Sequence, residues 1–322
     1  MAAYGQEEYI SEAIESLQDM TMTDWEVVIV DDGSPDAVMS IAEKYATADN
    51  RIRLLHTNNH GVGTARNTAV SMARGQYLTF LDGDDKFYPD YLSQAVSILD
   101  ANPDVTLVYG MWEYFGNNTD TPPLNWYGYG TLLLGNTIHI SAVIRRADFE
   151  AIGGFDSDLP SHEDWDLWIR LLRNRPDTAV CFLPTPSLLY RQKATSRNTD
   201  SINNNQFTDI ATRLFSRFHE LYIKTFNGLI LPRLISLREI GAEHRWAAWR
   251  PLEGLSAKNL CLAAREHEQI LQYIISRNLL SMDELYYFCK MSRKRFLPYL
   301  HKFLFRLNTK EALLFLFQLI KY

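Results

Sequence analysis

Val27-Val28-Ile29-Val30-Asp31-Asp32-Gly33-Ser34 joins four apolar, β-branched residues to two carboxylates, a glycine and a serine. The run is too short for a helix and too apolar to keep one face in water, so it reads as a strand buried on both sides. Gly33 and Ser34 then end it with turn chemistry. Before it, Tyr9, Ile10, Ala13, Ile14 and Leu17 recur at helical spacing, and a second helix is expected from Pro35. Farther along, the pattern predicts strands over 51–56, 76–81 and 106–109 and helices over 63–73 and 89–99. This alternation predicts an α/β fold, a mostly parallel sheet sandwiched by helices. In open sheets of that kind ligands gather beyond the carboxyl ends of the strands. Asp31-Asp32 and Asp82-Gly83-Asp84-Asp85 both fall at such ends.

Residues 117–135, rich in Asn, Thr, Pro, Gly and aromatics, read as a long loop. A strand or two, a helix over about 163–173 and a strand over 178–183 complete a first domain, and the polar run 195–205 marks its boundary. The expected division is a catalytic α/β domain over 1–200 and a mainly helical region over 201–322.

The bulk composition excludes several classes. Hydrophobic residues at 46% and charged residues at 22% are ordinary for a globular chain and wrong for a disordered one. A net charge of −7 argues against a nucleic-acid-wrapping surface. By direct count, residues 290–322 carry +7 and residues 1–289 carry −14, an acidic body with a basic terminal segment. Cys181, Cys261 and Cys289 are too few and too scattered for a disulfide framework or a metal site. Met1 to Tyr9 has neither a basic start nor an apolar run, so no signal peptide and a cytoplasmic location are expected.

Each acidic cluster has two readings. Asp82 and Asp84, one residue apart, can both reach a divalent ion that also holds phosphate oxygens, or they can simply form a turn. An EF-hand starting at Asp82 fails at Lys86, Phe87 and Ser93. Asp31 or Asp32 could accept hydrogen bonds from a nucleobase or a ribose hydroxyl, or cap a helix; without G-x-G-x-x-G an NAD site is disfavoured. Glu163 and Asp164 open an apolar-faced helix, where one carboxylate could be a general base or only a favourable charge at a helix start. His139 and His162 read as ordinary satisfied histidines as readily as ligands. Gly61 to Asn67 is a glycine-bearing helix start whose Arg66 could pair with a diphosphate.

The order of these pieces is more telling than any one of them. A-Y-x-x-E-x-Y-I-x-E-A-I-x-S-L, V-V-I-V-D-D-G-S, G-x-x-x-A-R-N, F-L-D-G-D-D, G-G-F-D and E-D-W-D-L-W-x-R-L follow one another between residues 3 and 191. Their succession resembles glycosyltransferase family 2. The resemblance implies a nucleotide-diphospho-sugar transferase fold, inversion at the anomeric carbon, and Mn²⁺ or Mg²⁺ as cofactor. It places Tyr4 and Asp32 at the nucleobase, Asp31 in the same loop, and Arg66 near the base or diphosphate. Asp82 and Asp84 become the D-x-D pair, with Asp84 the direct metal ligand and Asp82 nearer the ribose. Asp164 becomes the general base, Glu163 contacts a sugar beside it, and Arg191 completes the diphosphate or acceptor side. The implied partners are a nucleotide-diphospho-sugar donor, with UDP as the family expectation, and a glycan or lipid-linked acceptor of bacterial surface polysaccharide or lipopolysaccharide synthesis.

Two features depart from the family pattern. Members begin with an apolar strand ending in Pro-x-Tyr-Asn, whereas this chain opens Met1-Ala2-Ala3-Tyr4-Gly5, so the first strand is expected to be missing. A Q-x-x-R-W signature does not follow Asp164, which argues against a processive synthase. The basic, aromatic residues 291–322 fit a helix packed in its own domain or a homodimer, or a helix at the inner face of the plasma membrane. Two other functions share parts of the pattern. A sugar nucleotidyltransferase needs a Gly-, Arg- and Lys-bearing N-terminal loop that Tyr4 to Glu8 lacks, and an inactive scaffold would have lost metal or base residues that are all here.

Overall fold

The computed structural model describes residues 1–117, 119 and 128–193, and seven positions between 210 and 221. The expected boundary over 195–205 and nearly all of the expected helical region, including its basic segment, lie outside the described residues.

The opening stretch forms β2 (Val27–Asp31), and every residue of it is buried. It lies between β1 (Ala2–Ala3) and β3 (Ile52–His56), with both pairings parallel. Alternation assigns its two faces. Val27 and Ile29 pack into the core that holds Ile10, Ala13, Ile14 and Leu17 of α1 (Ile10–Gln18). Val28 and Val30 pack with Ala65 and Ala69 of α3 (Val62–Met72). Helices therefore cover both faces of this strand, as a doubly apolar run requires. Between β2 and β3 runs α2 (Val38–Ala48).

A second, five-stranded sheet has the order β4-β7-β6-β8-β5. Its members are β4 (Tyr77–Leu78), β5 (Lys86–Phe87), β6 (Leu107–Gly116), β7 (Val143–Arg145) and β8 (Val180–Gln192). β6 and β8 run parallel, while β4–β7, β6–β7 and β5–β8 are antiparallel, so this half is mixed. α4 (Tyr91–Ala101) sends Tyr91, Leu92, Ala95 and Leu99 into the shared core. The remaining helices are α5 (Tyr129–Leu134), α6 (Arg146–Ala151) and α7 (Glu163–Leu172).

Three expectations change. The strand expected to be missing before Tyr4 is present in short form: Ala2 and Ala3 align with Val30 and Asp31, which satisfies the inner edge of β2. The stretch read as loop over 117–135 contains α5, whose Leu132 and Leu133 are fully buried. The short strand expected over 178–183 continues to Gln192, because β6 extends beside it as far as Gly116. Among the described residues no helix is long and apolar enough to cross a membrane.

α7 is held mainly by aromatic anchors. Trp165 and Trp168 are almost wholly buried, and their indole N–H groups donate to the carbonyls of Leu132 (2.6 Å) and Ile138 (3.1 Å). A buried indole with a satisfied N–H anchors without a desolvation penalty. The same helix buries Asp166, which is paired with Arg170 at 2.7 Å. Arg170 in turn donates to the carbonyls of Ile152 (2.9 Å) and Gly154 (2.7 Å), tying the Gly153-Gly154 turn to α7.

Candidate active site

Two acidic groups flank the carboxyl ends of the strands. At the end of β2, Asp31 Oδ1 accepts the Ser34 N–H (2.9 Å), and its Oδ2 lies 2.8 Å from His56 Nδ1. Burial would raise this carboxyl, but the Ser34 and His56 hydrogen bonds outweigh it and hold it below the usual value. Asp32 is turned toward the next loop. Its Oδ1 accepts from the His60 N–H (3.0 Å) and the Thr57 hydroxyl (3.2 Å), and its Oδ2 accepts the Gly61 N–H (2.8 Å). Gly33 permits the approach, with φ +76° and the Asn59 nitrogen 2.9 Å from where a Cβ would stand. Tyr4, directly after β1, is half exposed and is the large hydrophobic residue that most faces solvent among the described residues.

The second group is built around Arg66. α3 carries this side chain inward until it is 2% exposed. One terminal nitrogen meets Asp82 Oδ1 at 2.6 Å and the other meets Glu163 Oε1 at 2.6 Å. Burial works against the guanidinium charge, but Asp82 and Glu163 outweigh it and raise its pKa. A single planar cation thus joins the D-x-D loop to the start of α7, with Glu163 lying 97 residues beyond Arg66 in the chain. The next residue repeats the link: Asn67 Nδ2 donates to the Phe155 carbonyl and its Oδ1 accepts the Phe155 N–H, both at 2.9 Å. Gly154 has φ +71°, and a Cβ there would meet Asn67 Oδ1 at 2.6 Å, so this clamp needs glycine.

Beside Glu163, Asp164 sits in the first turn of α7 and is partly buried. Its Oδ2 accepts from Asn136 Nδ2 at 2.8 Å, and its Oδ1 accepts the Trp165 N–H at 2.8 Å. His139 stacks between Trp112 and Tyr190, with ring centroids 5.9 and 5.2 Å away. Burial, with Arg66 adding to it and Asp82 opposing it, pulls its pKa down to about 4.

The carboxylates of the D-G-D-D loop have different partners. Asp82 holds Arg66, while Asp84 Oδ2 is paired with Lys193 Nζ at 2.5 Å. Asp85 is 1% exposed; its Oδ1 accepts the Arg191 N–H at 2.9 Å, and its Oδ2 is buried without a hydrogen-bond partner. Burial, then Asp84 and Asp82 as like charges, push the Asp85 carboxyl well above its usual range. Arg191 itself donates from Nε to the Asp84 carbonyl (2.8 Å), pairs with Glu12 (3.0 Å) and lies over the rings of Tyr9 and Phe115.

This donor set suits a hard divalent cation. It offers carboxylate oxygens only, it leaves a buried oxygen of Asp85 without a hydrogen-bond partner, and it sets Asp84 and Asp82 as like charges near Asp85. Among the described residues no three His, Cys, Asp or Glu side chains already converge as a closed metal cage.

The structure therefore brings Arg66, Asp82 and Glu163 into direct contact, and sets Asp84 and Asp85 of the same loop against Arg191 of β8. Tyr4, Asp31 and Asp32 form their own group at the end of β2. Sequence reading missed three partners: Asn67, although it stands inside the A-R-N motif, and Asn136 and Lys193, which no spacing rule singles out.

Comparison with known proteins speaks to the family and the fold. The family model described as Glycosyl transferase family 2 matches residues 1–157. The uncharacterized glycosyltransferase EpsJ of Bacillus subtilis is 46% identical over 93 residues, which are 29% of this chain and 26% of that one. The chain spans about a third or less of the length of the first curated relatives it matches. Among solved structures, S. aureus TarS 1-349 in complex with UDP-GlcNAc aligns with a TM-score of 0.62 at 17% identity, covering 91% of this chain and 89% of that one. The mannosyltransferase PcManGT of Pyrobaculum calidifontis, in complex with GDP-Man and Mn²⁺, aligns with a TM-score of 0.51 at 18% identity, covering 85% and 73%. At those identities the likeness speaks for the fold alone.

Proposed function

Over its first 157 residues the chain belongs to glycosyl transferase family 2, and from that premise we propose that it is an inverting, metal-dependent glycosyltransferase. The donor is a nucleotide-diphospho-sugar, with UDP the favoured nucleotide, and the acceptor is a hydroxyl of a glycan or lipid-linked saccharide. The observation that carries this reading is the Arg66 bridge, which sets the D-x-D carboxylates and the Glu163-Asp164 helix start side by side. A donor-binding loop and a candidate base are thereby held at one place.

In this reading Asp164 takes the proton from the acceptor hydroxyl as that oxygen forms its bond to the anomeric carbon. The bond from that carbon to the donor phosphate breaks on the opposite face, and the nucleoside diphosphate leaves. Asn136 fixes Asp164 through Oδ2, so the carboxylate is oriented before the acceptor arrives. Arg66 touches neither reactant; it positions Asp82 and Glu163. Asp84, with Asp82 beside it, would hold Mn²⁺ or Mg²⁺, which supplies Lewis-acid neutralisation of the leaving diphosphate. Tyr4, Asp31 and Asp32 would receive the nucleoside at the end of β2.

Two measurements test the proposal together. Calorimetric titration of UDP with and without Mn²⁺ should show metal-dependent binding; equal heats in both would defeat the metal-dependent reading. Asp164→Asn should bind UDP normally while transfer falls by a factor of roughly 10² to 10⁴. Full turnover in that variant would remove Asp164 as the base.

A further inference from the structure

The cation at Asp84 is part of the chain. Lys193, the residue immediately after β8, reaches back so that its Nζ lies 2.5 Å from Asp84 Oδ2. Both side chains are largely shielded, at 26% and 15% exposed. A contact of this length between partly buried charges is worth more than an exposed pair, because solvent screens it less. Lys193 also has somewhere to go. A cleft of about 550 Å³ opens beside it, lined by Glu7, Tyr9, Asp36, Gly116 and Arg191. In the same placement Nζ lies 5.2 Å from the Tyr9 ring centre, so this cation–π contact at the edge of the cleft is made together with the ion pair. Lysine suits such an exchange better than arginine, since its charge is compact and its stem flexible.

We propose that Lys193 is the resident counter-ion of Asp84, displaced by the divalent cation and received by the donor's diphosphate. The inference rests on the metal-dependent reading above, in which ion and nucleotide already bind together, and it adds that part of this coupling runs through Lys193. Metal and nucleotide are positively coupled through one side chain. The ion alone must evict Lys193 from Asp84, which weakens its binding; a diphosphate that accepts the ammonium group removes that competition. Coupling of this kind is reciprocal: the nucleotide tightens the metal by the factor with which the metal tightens the nucleotide.

The test is binding of Mn²⁺ to the full chain, followed by the paramagnetic resonance signal of the free ion, with and without UDP. Wild type should hold Mn²⁺ weakly alone and more tightly with UDP. Lys193→Met should bind Mn²⁺ alone roughly three- to tenfold more tightly than wild type, and UDP should then improve it less. Lys193→Arg, which keeps the charge, should restore the wild-type order. Thermal melts of the variants confirm that each is folded. Unchanged or weaker Mn²⁺ binding by a folded Lys193→Met would overturn the proposal and make the ion pair a fixed structural contact. If wild type and variant both ignore Mn²⁺ even with UDP, the metal-dependent reading itself fails, a result distinct from the first.

Discussion

Replacing Arg66 with methionine removes one charge from a site that holds its partners by that charge. Arg66 is 2% exposed, Glu163 1%, and each of the two contacts is 2.6 Å long. Methionine keeps an unbranched apolar stem and removes the guanidinium together with its contact over the Phe155 ring, 5.5 Å away. Breaking a buried pair by taking away one partner costs about 3–5 kcal/mol, because the remaining charge stays desolvated. Asp82, at 29% exposed, can recruit water and contributes the smaller share. In a domain of this size about 1 kcal/mol corresponds to roughly 2–4 °C, so the variant should melt about 6–20 °C lower. Urea denaturation read by tryptophan fluorescence gives the free energy directly. A double-mutant cycle with Glu163→Gln isolates the pair: Arg66→Met with Glu163→Gln should lose less than the sum of the single losses, by up to about 3 kcal/mol. Additive losses, or a single-variant loss under about 1 kcal/mol, would refute the idea that this bridge holds the two motifs together.

The remaining expectations concern the same region. Gly154→Ala places a Cβ 2.6 Å from Asn67 Oδ1 at φ +71°, so it should cost about 2 kcal/mol or more in chemical denaturation; a neutral result would show that the Asn67 clamp can yield. His139 has a folded pKa near 4, below its unfolded value of about 6.5. The unfolded chain therefore takes up the proton first, so stability tied to His139 is present above about pH 6.5 and is lost as pH falls toward 4. His139→Gln should flatten that slope by up to about 3 kcal/mol across this window, and an unchanged pH profile of the melting temperature would contradict it. Asn136→Ala removes one hydrogen bond to Asp164 Oδ2 and keeps the carboxylate. It should lower kcat by a factor of about ten and leave UDP affinity unchanged, whereas a loss in UDP binding would place Asn136 at the donor instead.

The fold was legible where periodicity was strong. Val27 to Val30, apolar on both faces, could only be an inner strand, and Ile10, Ala13, Ile14 and Leu17 could only be one face of a helix. Legibility failed where pairing partners decide. Lys86–Phe87 and Val143–Arg145 are too short to carry a period, and they are strands because β8 and β6 lie beside them. Ala2–Ala3 likewise has no strand signature of its own and gains one from the edge of β2. In the site, the acidic residues were visible because strand ends in an open sheet predict where they gather. Their partners were not visible. Arg66 could be read equally as a phosphate ligand, and only its burial and its two carboxylates show it committed to the protein. Asn136 and Lys193 come from segments that no motif marks, so only three-dimensional proximity finds them.

Charge balance explains why those partners matter to the chemistry. Asp82, Asp84, Asp85, Glu163 and Asp164 share one region with Arg66, Lys193 and Arg191. Arg66 is paired with Asp82 and Glu163, and Arg191 is held by Glu12 and two aromatic rings, so each makes several contacts within the protein. Lys193 is the cation whose single ionic contact can be exchanged. Burial first, and then Asp84 and Asp82 as like charges, raise the Asp85 carboxyl, so the loop sets like charges together with a deficit of positive charge among them. A divalent ion at Asp84 would supply that deficit and release Lys193 together. The rigid cations thus build the site, and the movable one lets it accept an anionic donor without leaving a buried charge unbalanced in either state.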